Sequence, residues 1–77
     1  MNVDRFPSLT ALRVFAACTR TRSFARAAEE FGISPGAVTQ HIRTVEKWVN
    51  APLFRRTGRS VVPTEAAEAA LPVLLEG

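Results

Sequence analysis

At 77 residues the chain is sized for one small domain, with little room for an enclosed active site. One cysteine, Cys18, and one histidine, His41, exclude an internal disulfide and a structural zinc site, and no apolar run approaches the roughly 20 residues that span a bilayer. The formal charge is +3, nine of the ten basic residues are arginine, and between residues 31 and 64 Arg43, Lys47, Arg55, Arg56 and Arg59 face a single acid, Glu46. A polyanion is therefore the first candidate partner.

Ser8 reads as the N-cap of a first helix that fades near Thr21, with Leu9, Leu12, Phe15, Ala16 and Thr19 as its expected apolar face. Ser23 caps a second helix with the stripe Phe24, Ala27, Ala28 and Phe31, and Gly32 follows as the left-handed residue that ends it. Three residues, Gly32-Ile33-Ser34, lead to the next helix. Ser34 is its N-cap, and Pro35 sits at the first helical position, where a missing N–H costs nothing. Ile33 is placed to touch Ala28 behind it and, as a hydrophobic staple, Val38 ahead of it. So short a turn sets a definite angle between two helices, which is helix-turn-helix geometry.

The third helix is expected from Pro35 to about Val49, burying Val38, Ile42, Val45 and Val49, and closed by Asn50. Two short extended runs around Thr57-Gly58-Arg59 predict a hairpin, with Leu53, Phe54 and Val61 or Val62 packing inward. Thr64 caps a last helix, in which Glu65 and Glu68 lie favourably near the positive end and Pro72 predicts a kink. Ala66, Ala69, Ala70, Val73, Leu74 and Gly77 form a stripe along it. This stripe is expected to meet a second copy about a twofold axis.

Gly36, Thr39, Gln40, Arg43 and Lys47 fall on the other side of the third helix. The order suits a helix entering a major groove: small residues allow close approach, amide and hydroxyl groups read base edges, and cations take phosphates. Gln40 can pair with adenine N6 and N7, and Arg43 can fork onto guanine or a phosphate. Arg22 and Arg26 at the start of the second helix, and Glu29 and Glu30 at its end, run against the helix dipole. A phosphate on free N–H groups at Ser23 and Phe24 would correct this, so Ser23 and Arg26 are read as backbone-positioning contacts. The hairpin carries Arg55, Arg56 and Arg59 with no acid expected nearby, and a narrow tip beside Gly58 can reach a minor groove. Cys18 reads as a core residue and Trp48 as packing against the hairpin or last helix, while His41 lies off the reading face. No nucleophile–base pair, glycine-rich phosphate loop or metal-ligand spacing is visible, so neither enzyme activity nor a cofactor is expected. The rival readings are a helical module whose basic face meets an acidic protein and an RNA-binding winged helix.

The pieces LRVFAA, SFARAAEEFGISPGAVTQHIRTVE, PLFRRTGRSVVPTEA and ALP resemble the N-terminal winged helix-turn-helix domain of LysR-type transcriptional regulators. Leu53, Phe54, Arg56, Arg59, Thr64 and Ala66 fit that family's wing pattern. The resemblance implies a mainly α winged helix-turn-helix at residues 1–63, with 64–77 beginning a dimerising linker helix. It also implies sequence-specific binding to double-stranded DNA by a bacterial, cytoplasmic homodimer or tetramer, nucleoid-associated when bound. The larger C-terminal domain that takes a small-molecule effector is not among these residues, so a DNA-binding fragment or a truncated protein is expected. The expected DNA contacts are Ser23, Arg26, Ser34, Pro35, Gly36, Ala37, Thr39, Gln40, Arg43, Arg56, Arg59 and Thr64. Pro35 stands where the family often has Gln, Gln40 where it often has Arg, and Asn50 and Ala67 where it usually has Gly. Pro35 then offers only backbone or van der Waals contact, and Gln40 favours adenine over guanine.

Overall fold

The computed structural model describes residues 7–58 and 60–76, with side chains through Leu74. The elements run α1 (Leu9–Thr21), α2 (Phe24–Phe31), α3 (Pro35–Val49), β1 (Phe54–Thr57), β2 (Ser60–Pro63) and α4 (Glu65–Glu76). Each helix starts on the expected hydroxyl. Ser8, Ser23, Ser34 and Thr64 accept the N–H groups of Ala11, Arg26, Ala37 and Ala67 at 3.1, 3.1, 3.1 and 3.2 Å. α2 ends in a Schellman motif. Gly32 has φ +65°, its N–H donates to Glu29 O, and the Ile33 N–H donates to Ala28 O at 3.0 Å. Asn50 closes α3 with φ 61°. α1 ends on a residue that no composition rule marks: Arg22 takes φ 56° and donates its N–H to Cys18 O at 2.9 Å.

α1 packs against α2, α3, α4 and β2, so a single stripe cannot serve it. Its buried residues are Ala11, Leu12, Val14, Phe15, Ala17 and Cys18. This corrects the expected face. Leu9 is 62% exposed, and Ala16 and Thr19 are only half-buried. The core continues through Ala27, Ala28, Val38, Ile42, Val45 and Leu53, with Phe24, Phe31, Ile33, Trp48 and Val49 packed against it.

The hairpin is antiparallel, pairing Phe54 with Pro63, Arg55 with Val62, Arg56 with Val61 and Thr57 with Ser60. Gly58 enters the turn with φ +63°. Alternation turns Val61 and Pro63 inward and leaves Val62 half-exposed. Phe54 meets the rings of Phe15 and Phe24 edge-on, at centroid separations of 5.9 and 5.5 Å. The Val61 N–H donates across to Arg22 O at 3.1 Å, joining the hairpin to the α1–α2 turn.

α4 remains helical through Pro72 to Glu76. Ala67 and Leu74 are buried in the chain's own core, with Ala70 and Leu71 packed against it. The stripe read from the sequence therefore mixes two faces. Ala69 and Val73 point to solvent, Val73 being 66% exposed, while Leu74 belongs to the interior. Gly77 lies outside the described residues.

Candidate nucleic-acid interface

α3 presents its first turn to solvent: Ser34, Pro35, Gly36 and Gln40 are exposed, and Ala37 and Thr39 are half-buried. Pro35 has no N–H and Ser34 Oγ takes that of Ala37, which leaves the Gly36 N–H as the donor of this turn. Thr39 donates its hydroxyl proton to Pro35 O at 3.2 Å, so toward a partner it offers oxygen lone pairs and a methyl group.

One groove runs between the start of α2, the middle of α3 and the hairpin, lined by Phe24, Thr39, Ile42, Arg43, Glu46, Phe54, Arg56 and Val61. It brings Thr39, Arg43 and Arg56 together from two separate elements. A second concavity, at the end of α3, holds Arg43, Glu46, Lys47, Asn50, Ala51 and Pro52. Arg43 thus borders both, and the cationic face extends along α3 to Lys47.

Arg26 is placed differently. It shares a depression with Arg20, Thr21, Glu29 and Glu30. Arg20 grips both carboxylate oxygens of Glu30, at 2.5 and 2.6 Å, so α1 compensates one of the acids that opposes the α2 dipole. The Ser23 N–H, expected to be free for a phosphate, donates instead to Thr21 Oγ1 at 3.3 Å. Arg55 also departs from expectation. It lies on the opposite face of the hairpin from Arg56 and shares a cleft with Glu65 and Glu68, so acids do lie near it in space. Arg59 lies outside the described residues.

The chain matches the family described as bacterial regulatory helix-turn-helix protein, lysR family, over residues 9–68. It belongs to the lysR family. It is 45% identical over 64 residues to the glycine cleavage system transcriptional activator of Escherichia coli K12, which covers 83% of this chain and 21% of that protein. Oxidized Corynebacterium glutamicum OxyR superposes with a TM-score of 0.86 at 29% identity, over 97% of this chain and 23% of that one. The DNA-binding domain of BenM, in its complex with catB site 1 DNA, gives a TM-score of 0.78 at 25% identity, over 90% of this chain and 74% of that one. This lysR-family chain spans about a fifth of the length of the first curated relatives it matches.

Two further residues matter to this lysR-family surface through contacts the sequence reading missed, Glu46 with Leu53 and Thr64 with Pro52. Glu46 accepts the Leu53 N–H on Oε2 at 2.8 Å, holding the loop after α3. Its one available signal is Asn50, whose left-handed backbone turns the chain back four residues later. Thr64, counted among the expected contacts, has its hydroxyl engaged twice: it caps Ala67 and donates to Pro52 O at 2.7 Å. Among the described residues no three His, Cys, Asp or Glu side chains gather as metal ligands, and no helix is long and apolar enough to cross a membrane.

Proposed function

We propose that this chain binds double-stranded DNA at defined sequences, as the DNA-binding part of a larger cytoplasmic transcriptional regulator. α3 enters the major groove, with Gln40 and the exposed first turn toward base edges. The hairpin lies on the flanking backbone or in the adjoining minor groove, contributing Arg56 and Arg59. The Ser23 and Ser34 hydroxyl protons, the Gly36 N–H and the Arg26 guanidinium fix the register on phosphates, with Pro35 and Ala37 in van der Waals contact, while Thr64, its N–H and hydroxyl engaged within the chain, orders the root of the hairpin behind them.

The observation that carries this reading is the groove in which Thr39 and Arg43 of α3 and Arg56 of the hairpin converge, beside the exposed Gln40. A helix in a major groove with a cationic hairpin at its flank needs this arrangement. Family membership and likeness to a domain solved on DNA support it. Residues 1–63 form the DNA-binding unit, and residues 64–77 begin a helix that pairs two copies so that they read two half-sites. A small-molecule effector acts through another part of the full regulator, and the chain itself works by binding rather than catalysis.

The test is selection of bound duplexes from a random pool, followed by affinity measurements on the selected site and its single-base variants at several salt concentrations. Gln40→Ala is expected to lose about 1–3 kcal/mol of discrimination at one or two base pairs with little change in salt slope. Arg59→Ala is expected to weaken all sequences and lower the slope by about one. A pool that yields no retained duplex overturns the reading. Preference for structured RNA or for an acidic protein replaces it with one of the rival readings.

A further inference from the structure

Among the described residues Glu46 is the only acid lining the groove that Arg43 and Arg56 border. A carboxylate there opposes phosphate, so a DNA-facing surface has reason to avoid it unless it does something else. The geometry supplies that role. The backbone carbonyl of Glu46 accepts the N–H groups of Asn50 and Ala51 at 2.7 and 3.3 Å, ending α3, while its carboxylate reaches on to the Leu53 N–H at 2.8 Å. Leu53 is fully buried, and its own carbonyl accepts the Thr64 N–H at 2.9 Å. β1 begins at the next residue and brings Arg56 to the groove. The root of the hairpin is thus fastened to α3 through one side-chain acceptor and to the start of α4 through one carbonyl.

We propose that Glu46 is a positioning residue that sets the distance between α3 and the hairpin, so that Arg56 and the α3 residues Thr39 and Arg43 engage the same duplex. This inference rests on the DNA-binding reading above. The carboxylate serves as an acceptor held at the right reach, and its charge is incidental. Gln, which keeps an oxygen at the same distance, preserves the placement. Asp, which keeps the charge but withdraws it by one methylene, does not, and neither does Ala.

The experiment combines Arg56→Ala with each Glu46 variant and measures affinity and salt slope on a selected duplex, with amide hydrogen exchange at Leu53 recorded on the same folded chains. In the native background Arg56→Ala lowers the salt slope by about one. The same loss is expected with Glu46→Gln, and less than half of it with Glu46→Asp and Glu46→Ala. Leu53 exchange is expected to quicken in the latter two only. Glu46→Ala, a strong helix former with no charge, repeats the test should the Asp variant fail to fold. An Arg56 contribution that is the same in every background overturns the proposal, as does a Gln variant that behaves like the Asp one. Failure of the native chain itself to retain any duplex overturns the DNA-binding reading, and the two failures are distinct.

Discussion

A Cβ built on Gly36 would meet only Ser34 Oγ, at 3.8 Å, and the position is exposed in the first turn of α3 with no left-handed backbone to demand glycine. Within its own fold the chain gains nothing from glycine there, and helix propensity disfavours it by up to about 1 kcal/mol relative to alanine. A surface that must come close to another one does gain from it. Gly36→Ala is therefore expected to raise stability by about 0.5–1 kcal/mol while weakening DNA binding, opposite signs that denaturant titration and an affinity assay on one preparation will show. Reduced stability would mean that the backbone there needs glycine after all. Cys18 is a different kind of residue, fully buried in α1, and burial pushes its thiol up from 9.0 to about 12. The neutral thiol is the form the fold favours. Its contribution to stability is complete below the unfolded value near 9 and is lost as pH rises from there toward 12. The pH dependence of unfolding should show that alkaline decline in the native chain and a shallower one in Cys18→Ala.

Within each element, local chemistry decides the ends and neighbours decide the faces. Ser34 accepts the Ala37 N–H at 3.1 Å and stands directly before the turn that meets DNA in the proposed function. Ser34→Ala should cost about 1 kcal/mol in denaturant titration and also weaken DNA binding, because the first turn of α3 loses its anchor. Unchanged stability would remove the cap's importance. The same locality explains what the sequence revealed. Ser8, Ser23, Ser34 and Thr64 announced four helix starts, and Gly32 and Asn50 announced two stops, because each acts within four residues of itself. Arg22 did not announce the end of α1, since nothing about arginine prefers a left-handed backbone. The faces of α1 and α4 were misread for a related reason. Both are rich in alanine, which suits either side of a helix, so burial of Ala11 and Ala67 but not Ala69 is settled by what packs alongside. The convergence of Thr39, Arg43 and Arg56 was legible only in part. Helical spacing placed the first two, but where the hairpin lands against α3 depends on contacts such as Glu46 with Leu53, seven residues apart.

For the molecule as a whole, the surface left uncovered bears on how two copies would meet. Leu74 is buried at 3% exposure and fills the chain's own core, whereas Val73 beside it is 66% exposed. The proposed pairing of α4 helices must therefore use the Val73 side, and Val73→Glu alone is the informative substitution. Sedimentation with DNA titration should show more monomer and loss of cooperative two-site binding, with affinity for a single half-site mostly kept. A variant that stays dimeric and cooperative would place the interface elsewhere. The bond from the Val61 N–H to Arg22 O also bears on how the chain behaves when crowded. A two-stranded ribbon ordinarily offers an open edge on which foreign strands can grow. Here alternation directs the Val61 and Pro63 backbone nitrogens away from β1; the first is already bonded within the chain, and the second carries no hydrogen. The outer side of β2 has no N–H left to donate, so the hairpin can stand out from the domain toward a partner without inviting edge-to-edge aggregation on that side.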